Sequence, residues 1–148
     1  MYKRQDLFRK KRIYKTYLAI VVGKPNKKRG IIDLPIYNHE DKSKKPAKTS
    51  YEIIDNLGKE LSFLALYPET GRKHQLRIHL KEIGHPILGD GKYGGRNAFI
   101  RNLSNKIHLH AFEIQIDNYY GKKLKLSDPI EENFKQTMDE LGFSEMLL

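Results

Sequence analysis

The amino-acid sequence predicts an α+β domain built on an antiparallel or mixed sheet. Three observations favour this class. Segments rich in β-branched and aromatic residues outnumber segments with helical periodicity, short polar turns join them, and 148 residues suffice for one domain with a single core. The chain contains no cysteine, so disulfides and thiolate metal sites are excluded.

The first half of the chain is predicted to be mostly strand. Residues 14–22 are β-branched and aromatic and indicate a strand buried on at least one face. Residues 31–37 are predicted as a short strand that Pro35 interrupts, which favours a sheet edge, and the polar, lysine-rich residues 38–46 are predicted as a loop. Residues 48–55 and 60–67 form a hairpin around a central asparagine and glycine.

A helix follows the hairpin. Leu76, Leu80 and Ile83 recur at i, i+4 and i+7, which is typical of an amphipathic helix of about three turns. Thr70 is the expected N-cap and Gly84 the residue that ends the helix.

The remaining residues alternate between turns, strands and one more helix. Residues 84–95 are rich in glycine and predict tight turns. Residues 106–117 alternate as a strand does, and 123–126 form a short final strand after a turn. Residues 130–142 carry apolar side chains at i, i+4 and i+7 and predict the last helix.

The positive charge is concentrated at the N-terminus. Residues 1–30 carry eleven Lys or Arg and one acid, whereas residues 31–148 carry seventeen basic and seventeen acidic residues, so the net charge of +10 originates in the first thirty. Such a stretch favours a polyanionic partner, most often nucleic acid. A solvated basic tail is the alternative. The longest apolar stretch, residues 17–22, is too short to cross a bilayer, and no signal peptide is visible.

The first five residues, Met-Tyr-Lys-Arg-Gln, resemble the translation of a transposase-type sequencing adapter read in frame with a GTG start. We therefore expect residues 1–5 to be non-native and leave them out of the fold prediction. An ordinary basic N-terminus is the alternative.

The densest group of polar side chains lies in residues 70–79, Thr-Gly-Arg-Lys-His-Gln-Leu-Arg-Ile-His. This segment begins where a strand ends and a helix starts, so free backbone N–H groups and the positive end of the helix dipole lie there. Arg72 and Lys73 add charge that can meet a phosphate. His74 and Arg77 share a helix face opposite the apolar stripe, which indicates either a binding site or a solvated face.

The histidines do not indicate a metal site. His74 and His79 are five residues apart and diverge on a helix, whereas His108 and His110 share one face of a strand. The sequence contains no His-Glu-x-x-His pattern. His110 is predicted to be packed or hydrogen-bonded for structural reasons.

The glycine-rich residues 84–95 match neither a Walker A loop nor a dinucleotide-binding fingerprint. Tight turns that need positive φ account for the glycines. Asp90 is the only acid in this stretch. It is either a catalytic group or a turn cap, and aspartate is more often a turn cap.

Five segments, in this order and spacing, resemble motifs of the RluA-type RNA pseudouridine synthases. The resemblance covers roughly residues 7–128. The segments are 15–21 (Lys-Thr-Tyr-Leu-Ala-Ile-Val) followed by Gly23, 46–51 (Pro-Ala-Lys-Thr-Ser-Tyr), 70–79, 84–90 (Gly-His-Pro-Ile-Leu-Gly-Asp) and 109–111 (Leu-His-Ala).

The resemblance implies a mixed, mainly antiparallel sheet with flanking helices and an RNA cleft across one face. It also implies an isomerase that converts uridine to pseudouridine without metal or organic cofactor. The expected partner is structured RNA, with ribosomal RNA favoured and transfer RNA as the alternative. We expect a cytoplasmic monomer that does not act at a membrane.

The family's catalytic aspartate lies in a His-Arg-Leu-Asp segment upstream of the strand that here contains Tyr17. Residues 1–16 contain no such segment. We therefore expect residues 6–148 to be the C-terminal part of a synthase catalytic domain that is inactive by itself. A non-catalytic RNA-binding protein of the same fold is the alternative, and an unrelated basic ribosome-associated protein is a third hypothesis.

The resemblance also assigns residue roles. Isomerisation requires cleavage of the N1–C1′ bond, rotation of the base and formation of a C5–C1′ bond. Tyr17 is the expected active-site tyrosine that stacks on the uracil, and Arg77 would pair with the catalytic aspartate. The expected RNA contacts are Lys15, Lys48, Thr70, Gly71, Arg72, Lys73, His74 and Gln75.

Overall fold

The computed structural model describes residues 13–148, and residues 1–12, including the predicted adapter-derived segment 1–5, lie outside the described residues. The strands are β1 (Ile13–Val22), β2 (Arg29–Asp33), β3 (Ile36–Asn38), β4 (Ser43–Lys45), β5 (Lys48–Leu57), β6 (Leu61–Pro68), β7 (Leu109–Tyr119) and β8 (Lys122–Ser127). The helices are α1 (Gln75–Glu82), α2 (Gly91–Gly94) and α3 (Glu132–Leu141), with 3₁₀ turns at Gly95–Ala98 and Glu145–Leu147.

Six strands form one sheet in the order β2-β5-β6-β1-β7-β8, and β3 and β4 form a separate hairpin. Every strand pair within residues 13–148 is antiparallel. The predicted α+β class with a mainly antiparallel sheet and flanking helices is therefore confirmed. Strand β1 lies inside the sheet, between β6 and β7.

The sheet is covered on both faces, which is why β1 is almost continuously apolar. Successive side chains of a strand point to opposite faces. Ala19 packs in one cluster with Leu80 of α1, and Leu18 packs in the other with Phe134 of α3. The α1 face holds the candidate site. Within residues 13–148, no helix combines the length and the apolar character that a membrane crossing requires.

Of the two sequence predictions about the second quarter of the chain, one is confirmed and one is wrong. The strand predicted at residues 31–37 is interrupted at Pro35, as expected, and its first part is β2, an edge strand of the large sheet, while its second part is β3. The loop predicted at residues 38–46 contains β4, which pairs with β3. Strand β4 has the sequence Ser-Lys-Lys and no apolar alternation, so its pairing depends on its partner strand and not on its own pattern.

Thr70 is not the N-cap that the sequence predicted. Helix α1 begins at Gln75, and His74 occupies the cap position with φ 56° and no side-chain cap bond. The Thr70 hydroxyl accepts a hydrogen bond from Lys48 N at 3.0 Å and donates one to Gln75 Oε1 at 2.6 Å. The threonine therefore ties the segment before the helix to β5.

A buried histidine connects the turn at Leu88 to helix α3. His108 is fully buried, and its Nδ1 donates to the Leu88 carbonyl at 3.0 Å while its Nε2 accepts from the Thr137 hydroxyl of α3 at 2.8 Å. Desolvation lowers the pKa of His108, although the hydrogen bond to the Leu88 carbonyl opposes this shift. The folded protein therefore favours the neutral ring.

Because the pKa of His108 is lowered, we expect the free energy of unfolding to decrease at acid pH. Above about pH 6.5 the ring is neutral in both states, and below that value the unfolded chain binds a proton that the folded protein resists. We expect the free energy of unfolding to decrease as the pH falls from 7.5 to 5.5, measured by urea titration. His108→Gln should reduce this slope, whereas replacing the exposed His39 with glutamine should leave it unchanged. Equal slopes in the His108 variant and the wild type would contradict the prediction.

Candidate active site

An open cleft of about 270 Å³ lies on the α1 face, between β1, the end of β6 and the start of α1. Of the ten residues that the sequence singled out, eight line it. These are Lys15, Tyr17, Thr70, Gly71, Arg72, His74, Gln75 and Arg77. Pro68, Leu76 and Leu109 supply apolar surface that sequence reasoning missed.

Tyr17 lies half-buried in the cleft wall, where β1 pairs with both of its neighbours. Its Cα partners are Leu66 of β6 and Ala111 of β7, and the pairing with β7 shifts register between Thr16 and Tyr17. A bulge of this kind re-aims the side chain beside it and is common next to active sites. The aromatic ring packs at the edge of the core and keeps part of its surface for a ligand.

Arg77 is held by a buried carboxylate. Its Nε donates to Asp90 Oδ2 at 3.0 Å and its Nη2 to Asp90 Oδ1 at 2.8 Å, and the Asp90 side chain is 0% exposed. These hydrogen bonds raise the pKa of Arg77 above its ordinary value. The guanidinium also lies 5.0 Å from the centre of the Tyr93 ring, within the range of a cation–π contact.

Asp90 therefore has two structural functions at once. Its Oδ1 accepts from the backbone N–H of Tyr93 at 3.4 Å and caps α2, as the turn-capping interpretation predicted. The same carboxylate orients Arg77, a residue 13 positions earlier in the chain. Sequence reasoning missed this pair, and the only local signal was a lone acid before a short aromatic turn.

The loop before α1 is fixed by Gln75, which is 4% exposed. Its Oε1 accepts from Thr70 Oγ1 at 2.6 Å and from the Arg72 backbone N–H at 3.1 Å. Its Nε2 donates to the Lys48 carbonyl at 3.0 Å and to Thr49 Oγ1 at 2.9 Å. These four bonds use the whole hydrogen-bonding capacity of the amide, so Gln75 shapes the loop from within.

The other loop residues present charge and a neutral ring. The Nε of Arg72 donates to the Pro46 carbonyl at 2.8 Å, and Lys73 is exposed outside the cleft lining. Nδ1 of His74 lies 2.7 Å from the Tyr93 hydroxyl. Desolvation, followed by the charges of Arg77 and other nearby cations, lowers the pKa of His74.

The two predicted lysine contacts on strands lie in different places. Lys15 is exposed on β1 and lines the cleft. Lys48 begins β5 outside the cleft lining, with its Nζ 3.7 Å from Glu69 Oε2 in a solvent-exposed ion pair. Exposed pairs of this kind contribute little stability, so Lys48 can exchange its partner for a phosphate.

The histidines satisfy structural hydrogen bonds. His79 is fully buried, with Nε2 2.8 Å from the Leu34 carbonyl and Nδ1 2.9 Å from Thr49 Oγ1. Nε2 of His110 lies 3.3 Å from the Asp128 carbonyl oxygen, which agrees with the prediction that this histidine is hydrogen-bonded for structural reasons. Within the described part of the chain, no group of three or more His, Asp or Glu side chains is placed to hold a metal ion.

Comparison with known proteins gives a consistent result. A family model described as RNA pseudouridylate synthase matches residues 2–82, more than half of the chain. The dual-specificity RNA pseudouridine synthase RluA of Escherichia coli K12 is 36% identical over 139 residues, which cover 87% of this chain and 62% of that protein. The ribosomal large subunit pseudouridine synthase C of Rickettsia bellii is 34% identical over 145 residues, 90% of this chain and 48% of that protein. The chain thus spans about half to two thirds of the length of these relatives.

Solved structures show the same fold. The human RNA pseudouridylate synthase domain containing 4 aligns with a TM-score of 0.75 and 27% identity, covering 93% of this chain and 66% of that one. The human RNA pseudouridylate synthase domain containing 1, at 24% identity, aligns with a TM-score of 0.67 over 95% of this chain and 70% of that one and shows the shared fold alone.

Proposed function

This chain belongs to the RNA pseudouridylate synthase family, and from this premise we propose that its cleft holds a uridine of structured RNA for isomerisation to pseudouridine. The observation that carries the proposal is the convergence of a half-buried tyrosine, an oriented arginine and a cationic loop on one cleft. A non-catalytic RNA-binding protein of the same fold is less favoured, because the relatives are named as synthases.

In this proposal each cleft residue contributes to one part of the reaction. The target uridine leaves its helix and stacks on the ring of Tyr17, which holds the base while the glycosidic bond is exchanged. A carboxylate attacks or assists at the sugar, and in the family it is supplied by the His-Arg-Leu-Asp segment that the resemblance implies upstream. Arg77 keeps this carboxylate ionised and in place.

The geometry of Arg77 supports this role. The edge formed by Nε and Nη2 is directed to Asp90. Within residues 13–148, Nη1 donates no hydrogen bond, so the opposite edge of the guanidinium is available to a second carboxylate. We assign Asp90 as a positioning residue that holds the arginine plane while its other edge binds the nucleophile.

The remaining site residues bind the RNA backbone in this proposal. Lys15 and Arg72 line the cleft, whereas Lys73 and Lys48 lie outside its lining, in the loop before α1 and at the start of β5. The segment that contacts the RNA strand in this proposal contains Thr70, Gly71, His74 and Gln75. We propose ribosomal RNA as the substrate of a cytoplasmic monomer, with transfer RNA as the alternative.

Binding of RNA tests the proposal directly. We expect the 148-residue chain to bind a 5′-fluorescein-labelled RNA stem–loop with an affinity that falls as salt rises. Replacing Lys10, Lys11, Arg12 and Lys15 together with glutamine should lower the slope of log Kd against log salt by up to about 3, at roughly 0.7–0.9 for each lost phosphate contact. Lys10 to Arg12 lie outside the described residues, so this set comes from the sequence.

A matched variant removes the same charge from the end of the sheet that lies away from the cleft. Lys24, Lys27, Lys28 and Lys59 are exposed near the end of β1 at which Val22 pairs with Leu61. Their replacement with glutamine should leave the slope nearly unchanged. Equal losses in the two variants would mean that RNA is attracted by net charge alone, without a binding face at the cleft.

A further inference from the structure

The tip of the β7–β8 hairpin presents two adjacent aromatic rings to solvent. Tyr119 is 39% exposed and Tyr120 is 84% exposed. Their ring centres lie 4.7 Å apart in an edge-to-face arrangement. Single exposed apolar residues are ordinary on protein surfaces, but a ring as open as that of Tyr120 beside a second ring needs a reason.

The turn that carries these rings has an unusual backbone conformation. Asn118, Tyr120 and Gly121 have φ of 58°, 49° and 81°, so three of the four residues from 118 to 121 adopt left-handed conformations. Asparagine and glycine accept this region readily, whereas a tyrosine there is strained. A two-residue hairpin turn requires positive φ at both of its central residues, here Tyr120 and Gly121, and an aromatic residue is an unusual choice for the first of them.

Lysines follow the rings directly. Lys122 and Lys123 are exposed at the start of β8, and no ion pair within residues 13–148 involves them. The nearby acids have other partners. Glu113 lies 3.3 Å from Lys125, further along the strand, and Asp117 accepts a hydrogen bond from Gln115. Aromatic rings for stacking beside unpaired cations for phosphate are the combination with which proteins hold single-stranded nucleic acid.

The tip lies at the same end of the sheet as the cleft. Lys15 of the cleft pairs with Ile114, and Ile13 pairs with Ile116, after which β7 continues away to Tyr119. At about 3.3 Å for each strand residue, Tyr119 lies roughly 15–20 Å beyond Lys15. This distance is about that of five stacked nucleotides of one strand, at roughly 3.4 Å each.

We propose that the tip formed by residues 118–123 is a second RNA-binding element, which receives an unpaired nucleotide that flanks the target site. The base stacks on Tyr120, with Tyr119 supporting the ring, and Lys122 and Lys123 contact the adjoining phosphates. The inference rests on the proposed function, because the cleft must hold the same RNA molecule for the hairpin to meet its flank.

The test compares two RNA probes. One is a 5′-fluorescein-labelled stem–loop with a single-stranded flank of six uridines, and the other is the same stem–loop without the flank. Tyr119→Ala/Tyr120→Ala should weaken binding to the flanked probe about tenfold and change binding to the unflanked probe much less. Tyr120→Phe retains the stacking ring and should bind both probes as the wild type does. Circular dichroism checks that each variant is folded.

Four results separate the possible failures. If the wild type binds neither probe, the proposed function itself fails, and the hairpin inference with it. If the wild type binds both and the double alanine variant matches it on the flanked probe, only the hairpin inference is overturned. A loss in Tyr120→Phe as large as in the alanine variant would exclude base stacking. If sedimentation shows a dimer that the alanine variant loses while RNA binding persists, the tip is instead a contact between protein copies.

Discussion

Replacement of Arg77 with methionine is expected to lower the free energy of unfolding by about 3–5 kcal/mol. The reason is Asp90, whose side chain is 0% exposed and receives both bonds of the guanidinium fork. Within residues 13–148, removing the arginine leaves this buried carboxylate with only the Tyr93 backbone N–H as a donor, at 3.4 Å. The measurement is urea unfolding at pH 7, with the midpoint and slope fitted for each variant.

Two further variants identify the cause of this loss. Lys73→Met removes an exposed cation from the loop just before α1 and should change the free energy of unfolding by less than about 0.5 kcal/mol. Arg77→Met/Asp90→Asn removes both charges and should recover part of the loss, because an amide is less costly to bury than an unpaired carboxylate. A loss below about 1 kcal/mol in Arg77→Met would mean that water or another donor satisfies Asp90 in the folded protein.

In a longer chain that carries the His-Arg-Leu-Asp segment, Arg77→Lys is expected to lower the single-turnover rate on the order of 10²–10³-fold. Arginine can address two carboxylates at once, with one edge on Asp90 and the other on the nucleophile. Lysine carries the same charge as a single point and has no fork. Lysine can therefore pair with Asp90 or with the nucleophile but cannot hold both, so the orientation of the nucleophile is lost.

The rate and the RNA affinity must be measured side by side. The affinity of Arg77→Lys for the stem–loop should stay close to that of the parent, because net charge and the cationic loop are unchanged. The 148-residue chain is the reference without that segment, and we expect it to form no pseudouridine by itself. Pseudouridine formed by this chain would contradict the assignment of the nucleophile. A weakened affinity with an unchanged rate at saturating RNA would make Arg77 a phosphate contact.

Sequence reasoning succeeded where structure follows from local pattern. The buried strand β1, the β5–β6 hairpin and the helices α1 and α3 were all predicted because their apolar side chains repeat with the period of the element. Strand β4 was missed because a three-residue polar strand carries no such period. The start of α1 was placed too early because Thr70 is a good N-cap by type, whereas here its hydroxyl bonds to β5 and Gln75.

The site follows the same division. The residue types of the cleft, their order along the chain and the family to which the chain belongs could be inferred from the sequence, because each motif is a short continuous segment. Only the tertiary structure decided which acid holds Arg77, which amide fixes the loop before α1 and which hairpin lies at the same end of the sheet as the cleft. Burial periods are properties of a single segment, whereas a polar group takes its partner from whichever segment folding brings within about 3 Å. Asp90 had the local pattern of a turn cap, and only the packing of α1 against α2 made it the anchor of Arg77.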